Sequence, residues 1–293
     1  MRSTDIVAGL VSTCERELAR LIEDIDRAAG SGLFAIGAVA EILVLADAFE
    51  AVEDLRRLVA DASARWLRSG LLEECCMSRV EFLYHAALLC YLARFSRNYR
   101  ATDSAVLNRL CAGRLVGRSE SPVLTQRLIG AYFKRSGLRA DFGEAGERDF
   151  ARMIDKRVLR PRSDEYDLLV LLMFAQLVHL GECSGPGPAL CPQVLLIQSM
   201  RSQNLNWVPV LAFLSQKFFR ADERLAGAAQ QFLLSHLPRG GALLPAPAAS
   251  GVDADFVSRG GAGIRIRSTA ALICLLSTTG DIHADDRATV ALG

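Results

Sequence analysis

Histidine is the side chain whose charge changes nearest neutral pH, so the four in this chain are the first places to look for chemistry. His85 follows Tyr84 inside an apolar run, and Glu81 stands one helical turn earlier. A carboxylate on one ring nitrogen orients an imidazole as a general base. Glu81, Tyr84 and His85 are therefore the candidate catalytic set, against the plainer reading of a hydrogen-bonded core histidine. His179 ends the most apolar segment, 168–180, where Gln176 is the other polar interruption. A helix C-terminus suits an imidazolium, and Cys183 and Cys191 lie close by. Zinc would need a fourth ligand that the sequence does not supply, so no metal is expected. His236 and His283 read as surface positions.

The second candidate lies in 253–268, DADFVSRGGAGIRIRS. Asp253 and Asp255 have the spacing of paired carboxylates that hold magnesium in helical cyclases, but they sit in a Gly/Ala/Pro loop. Arg259, Arg265 and Arg267 surround small residues that let a backbone approach a ligand. If that stretch is extended, Arg265 and Arg267 share one side. A helix starting near Arg267–Thr269 would add its N-terminal N–H groups, making an anion site for a carboxylate or phosphate. The alternative is that Asp253 and Asp255 pair with these arginines and pin the loop. No Gly-x-Ser-x-Gly elbow, Walker loop or Gly-x-Gly-x-x-Gly occurs, and no cofactor is expected.

Apolar residues at helical spacing dominate the elements that must carry these groups. Ile6, Leu10, Leu18, Leu21 and Ile25 form one stripe, and Val52, Leu55, Leu58 and Val59 another. The segments 38–49, 79–95, 165–180 and 207–219 are apolar on most faces and belong inside. With 102–111, 123–136, 144–157, 193–202, 222–236 and 267–277, the pattern predicts about twelve helices. Clean strand periodicity and Asn-Gly or Asp-Gly hairpin turns are missing. Short connections predict antiparallel hairpins, stacked as an α/α-toroid or a curved solenoid. The chain reads as one helical domain over 1–293, divided near 183–192 into two similar halves. The laying of Glu81–Phe95 on Glu165–His179 supports such a duplication. A long functional or mobile loop is expected over 237–263 and a frayed tail over 280–293.

Hydrophobic residues make up 51% of the 293, and mean hydropathy is +0.22, enough for a large core and incompatible with a disordered chain. A net charge of +1 gives no electrostatic reason to expect nucleic acid or a membrane surface. Only three of the 34 basic residues are lysines, Lys134, Lys156 and Lys217. The segment 1–15 reads as an amphipathic helix rather than a leader, which predicts a reducing cytoplasmic setting where the eight cysteines act mostly as small apolar groups. The strongly apolar helices near Leu168 and Leu211 predict a homodimer.

Three segments carry a resemblance. Ile36–Ala46, IGAVAEILVLA, places Glu41 inside an apolar run. Tyr166-Asp167-Leu168 opens the helix that runs to Gly181, and Arg267-Ser268-Thr269 opens the last helix. In that order they resemble an actinobacterial family of all-helical proteins, a domain of unknown function often encoded in natural-product gene clusters. The family's early helix has Gly-x-x-x-Glu-Leu. Its Tyr-Glu-Leu-Thr-His becomes Leu169 and Val170 at the last two positions here, and its His-Thr-Thr begins here with Arg267. The resemblance implies a helical fold and a specialised-metabolism setting. The expectation is an accessory or binding protein of a biosynthetic pathway, holding a small-molecule intermediate or a pathway protein. The alternative is a cyclase- or transferase-like enzyme with its pocket inside a toroid.

Overall fold

The computed structural model describes residues 3–27, 32–72, 83–100, 123–137, 165–183, 190–219, 223–237, 244 and 261–278. Among these residues the regular structure is entirely helical, as the periodicity predicts. The helices are α1 (Ser3–Arg27), α2 (Leu33–Leu45), α3 (Glu53–Ser69), α4 (Leu83–Ala93), α5 (Val123–Arg135), α6 (Glu165–His179), α7 (Leu190–Arg201), α8 (Val208–Phe218), α9 (Glu223–His236) and α10 (261–278). The helices expected over 102–111 and 144–157 lie outside the described residues.

Helix α1 buries Leu10, Cys14, Leu18 and Ile25, a stripe at intervals of four and seven, while its outer face carries exposed ion pairs such as Arg20–Glu17. Its end is tied to α3, where Asp26 accepts from Trp66 Nε1 at 2.6 Å and from Arg65 Nη2 at 2.9 Å. Gly70 ends α3 with φ of 80°, a left-handed C-cap that a side chain would strain. Burial pushes the Cys14 and Cys274 thiols up to about 12, so both act as apolar packing groups.

Two helices form the centre. Helix α2 is buried on nearly every face and is packed by α1, α3, α4 and α6. Helix α10 is buried at 263, 264 and throughout 266–276. They cross where Gly263 meets the backbone of Ala35, leaving no room for a Cβ. Around them α4 packs on α3 and α5, α5 on α6, and α8 on α6, α7 and α9.

Three boundaries differ from expectation. Helix α2 ends at Leu45 rather than Phe49, and a 3₁₀ turn at Glu50–Val52 leads into α3. Helix α7 begins at Leu190, because Pro192 falls in its first turn, where the missing N–H has no intrahelical partner to lose. Helix α10 begins at 261 rather than near Arg267, so Arg265 and Arg267 lie inside a helix and not on an extended strand. Leu168 and Leu211 themselves are buried within the single chain. Among the described residues no helix is long and apolar enough to cross a membrane.

The α2–α10 crossing sets a testable sign. Glycine to alanine inside a helix ordinarily gains about 1 kcal/mol. At Gly263 the added methyl meets backbone, which cannot swing aside. Gly263→Ala is therefore expected to lose about 1–3 kcal/mol, as overpacked cores do. Urea unfolding reads this directly, and a stabilised variant would mean that the two helices can separate.

Candidate functional site

The expected catalytic set is described only in part. Glu81 lies outside the described residues, and the carboxylate that faces His85 belongs to Glu41 on α2. His85 Nε2 stands 3.8 Å from Glu41 Oε1. The imidazole rests on Gly37, whose lack of a side chain makes the space for it, and meets the Phe34 ring edge-on at 5.3 Å. Tyr84 points its hydroxyl into the same place, donating to Gln176 Oε1 at 2.8 Å and lying 3.2 Å from Glu41 Oε1. Tyr132, on α5, donates to the same Gln176 oxygen at 2.5 Å. Burial first, and then the charge of Glu41, pushes both phenols well above the usual tyrosine range, so they are neutral donors.

The charge of Glu41 is met by Arg267, whose Nη1 stands 3.5 Å from Glu41 Oε2, with both side chains under 5% exposed. The guanidinium stacks on the Trp207 ring at 4.3 Å. Arg267, expected at an exposed anion site, thus lies in the interior as the counterion of Glu41. Arg265 donates from Nε to the Leu244 carbonyl at 3.0 Å, while the Leu244 N–H donates to Thr269 Oγ1 at 3.3 Å. Leu244 is thereby tied to α10. Asp253, Asp255 and Arg259 lie outside the described residues. Among the described residues His85 Nδ1 and Gln176 Nε2 are buried and meet no partner.

A second polar group lies at one end of the bundle, where the C-termini of α2, α4 and α6 gather beside the start of α3. Unpaired carbonyls at helix ends attract cations. Lys217 donates to the Leu45 carbonyl, Arg56 to the Asp47 carbonyl at 2.7 Å, and Arg135 to the Leu180 carbonyl. Here a cleft of about 310 Å³ opens. Leu43, Leu92, Tyr91 and Phe95 form its apolar side, and Asp47, Glu53, Arg56, Arg57 and His179 its polar side. Phe95 is 56% exposed and packs edge-on against Tyr91 at 5.5 Å. Asp47 is held from two sides, by Lys217 Nζ at 3.2 Å and His179 Nε2 at 3.7 Å.

Sequence reasoning singled out His85, Tyr84 and Arg267, and the structure brings these three together. It gave no role to Asp47, Tyr132, Arg57, Tyr91 or Phe95. Gln176 and His179 were visible as the two interruptions of an apolar helix, and Lys217 as one of three lysines in an arginine-rich chain.

Removing one partner of a buried ion pair leaves an uncompensated charge, which costs about 3–5 kcal/mol. Arg267→Met is expected to lose that much in chemical denaturation, and adding Glu41→Gln to recover part of it. A loss below about 1 kcal/mol for the single change would show that the pair does not set the α2–α10 contact.

His179 gives a pH prediction. Burial lowers its pKa below the ordinary value of about 6.5, with Lys217 and Arg135 acting in the same direction and Asp47 opposing them. The folded chain thus binds this proton less readily than the unfolded chain. The resulting stability is present above about pH 6.5 and lost as the pH falls below it. His179→Gln should flatten the drop in melting temperature between about pH 7.5 and 5.5. Parallel curves for the two proteins would contradict it.

Comparison with family models, with curated proteins and with solved structures returned no match.

Proposed function

We propose that this is a small-molecule binding protein whose ligand lies in the cleft between the ends of α2, α3, α4 and α6. One observation carries the reading: a preformed opening of about 310 Å³ lined by both aromatic-aliphatic and charged side chains. Such a mixture of apolar surface and a few placed polar groups is what ligand sites are made of. The occupant is an amphipathic molecule held without reaction, an intermediate of a biosynthetic pathway under the setting that the family resemblance implies. The cytoplasmic location and the single-domain organisation with similar halves belong to the same proposal. A closed, toroid-like stacking of hairpins fits better than an open solenoid, because Glu41 of the second helix touches Arg267 of the last.

The enzyme reading has its own support. Glu41, Tyr84, His85, Gln176 and Arg267 converge from four helices, and His85 Nδ1 is buried without a partner among the described residues. In that reading His85 takes a proton from a substrate, with Glu41 orienting the imidazole.

One experiment separates the two. Saturation-transfer NMR of an amphipathic compound library with the native chain and with Phe95→Glu should give ligands that lose their signal in the variant and are recovered chemically unchanged. Ligands insensitive to the variant would end the cleft reading. Turnover abolished by His85→Ala would establish the enzyme instead.

A further inference from the structure

We infer that the molecule held in the cleft is an aromatic or conjugated acid, its ring on Phe95 and Tyr91 and its anionic group on Arg57. This rests on the cleft reading of the preceding subsection and names the ligand class.

Donor and acceptor supply in the cleft is unequal. Both lining carboxylates already face basic groups, Asp47 the Lys217 ammonium and the His179 imidazole, and Glu53 the guanidinium of Arg56 besides that of Arg57. Three of the cations at this end are also committed to the backbone, since Lys217, Arg56 and Arg135 each donate to a carbonyl at or just past a helix end. Arg57 differs. Its side chain is 61% exposed, and its partners are the neighbours on its own helix, Glu53 at 3.2 Å from Nε and Asp54 at 3.4 Å from Nη1. Exposed pairs of this kind are worth about 0.2–1 kcal/mol, so they yield readily to a better acceptor. Among the described residues Nη2 meets no acceptor, and a guanidinium presents its N–H groups as a fork that matches a carboxylate or sulfonate. Arg57 is therefore the lining group with N–H donors to offer an anion.

The ring half of the ligand follows from Phe95. Among the described residues it is the most exposed of the large apolar side chains, and its edge-on neighbour Tyr91 packs in turn against Tyr132, with centroids at 5.5 Å. A ligand ring laid on this pair extends an aromatic stack whose inner end is already fixed in the core.

The test uses two fluorescent probes that differ in one group. 8-Anilino-1-naphthalenesulfonate carries the anion, and N-phenyl-1-naphthylamine has the same rings without it. Each is titrated against the native chain, Phe95→Ala and Arg57→Gln, two surface substitutions that leave the core intact. The sulfonate should bind the native chain at least about fivefold more tightly than the neutral amine. Phe95→Ala should weaken both probes, and Arg57→Gln should weaken only the sulfonate, by about fivefold or more. Equal affinity of the two probes, or sulfonate binding unchanged by Arg57→Gln, overturns the acid class while a Phe95 effect keeps the cleft. Binding unchanged by Phe95→Ala overturns the cleft itself.

Discussion

The fold turns on one buried ion pair, Glu41 with Arg267. Either group alone in this interior would be prohibitively costly, so the second helix and the last must meet face to face and in one register. The two residues are separated by 226 positions. Closing so long a loop costs only logarithmically more than closing a short one, and the packing of Gly263 against Ala35 returns contact area at the same crossing. The pair stabilises the protein little against an apolar replacement. It specifies which face of α10 meets which face of α2, and the order of the outer helices follows from that.

Around this axis the remaining charges obey a different rule. Helix ends leave carbonyls without partners, and the chain answers with long cationic side chains: Lys217 at the end of α2, Arg56 on the turn that follows it, and Arg135 and Arg127 past the end of α6. The arginine-rich composition therefore has a structural use at this end of the bundle, without any ligand. Against this background a cation that caps no carbonyl, such as Arg57, stands apart.

Fold class was legible in the sequence because it rests on local periodicity: the four-and-seven stripe of α1 and the all-round apolarity of α2, α4 and α8 translate directly into position. Boundaries were less so. A glycine-rich 260–263 reads as loop along the chain, yet Gly263 lies inside α10 and lets it approach the backbone of Ala35, a tertiary demand that local sequence does not show. The same reason explains the site. His85 and Tyr84 are recognisable by residue type, and Glu81 one turn away lies outside the described residues, but the Glu41 carboxylate that faces His85 comes from another helix, which local spacing does not show. Polar interruptions of apolar helices, Glu41, Gln176 and His179, were the one local signal that survived folding. Side chains that matter only by where helix ends gather, Asp47 and Phe95 among them, left no such trace.

The two polar regions are not independent. Glu41 and Asp47 belong to α2 and the turn that ends it, and Gln176 and His179 lie three residues apart on α6, a spacing that puts both on one side of the helix about 4.5 Å apart along its axis. The interior network of Glu41, Tyr84, Tyr132 and Gln176 therefore locks the two helices whose ends form the floor of the cleft. A site whose supporting residues are already held loses little entropy when it is occupied, and the saturated hydrogen bonds of Gln176 Oε1 leave that floor little freedom to shift. Arg57 and Phe95, by contrast, are largely exposed lining groups of the cleft. Contacts made by these exposed groups lie apart from the ion pair on which the fold depends, so a change at either of them leaves the α2–α10 register untouched.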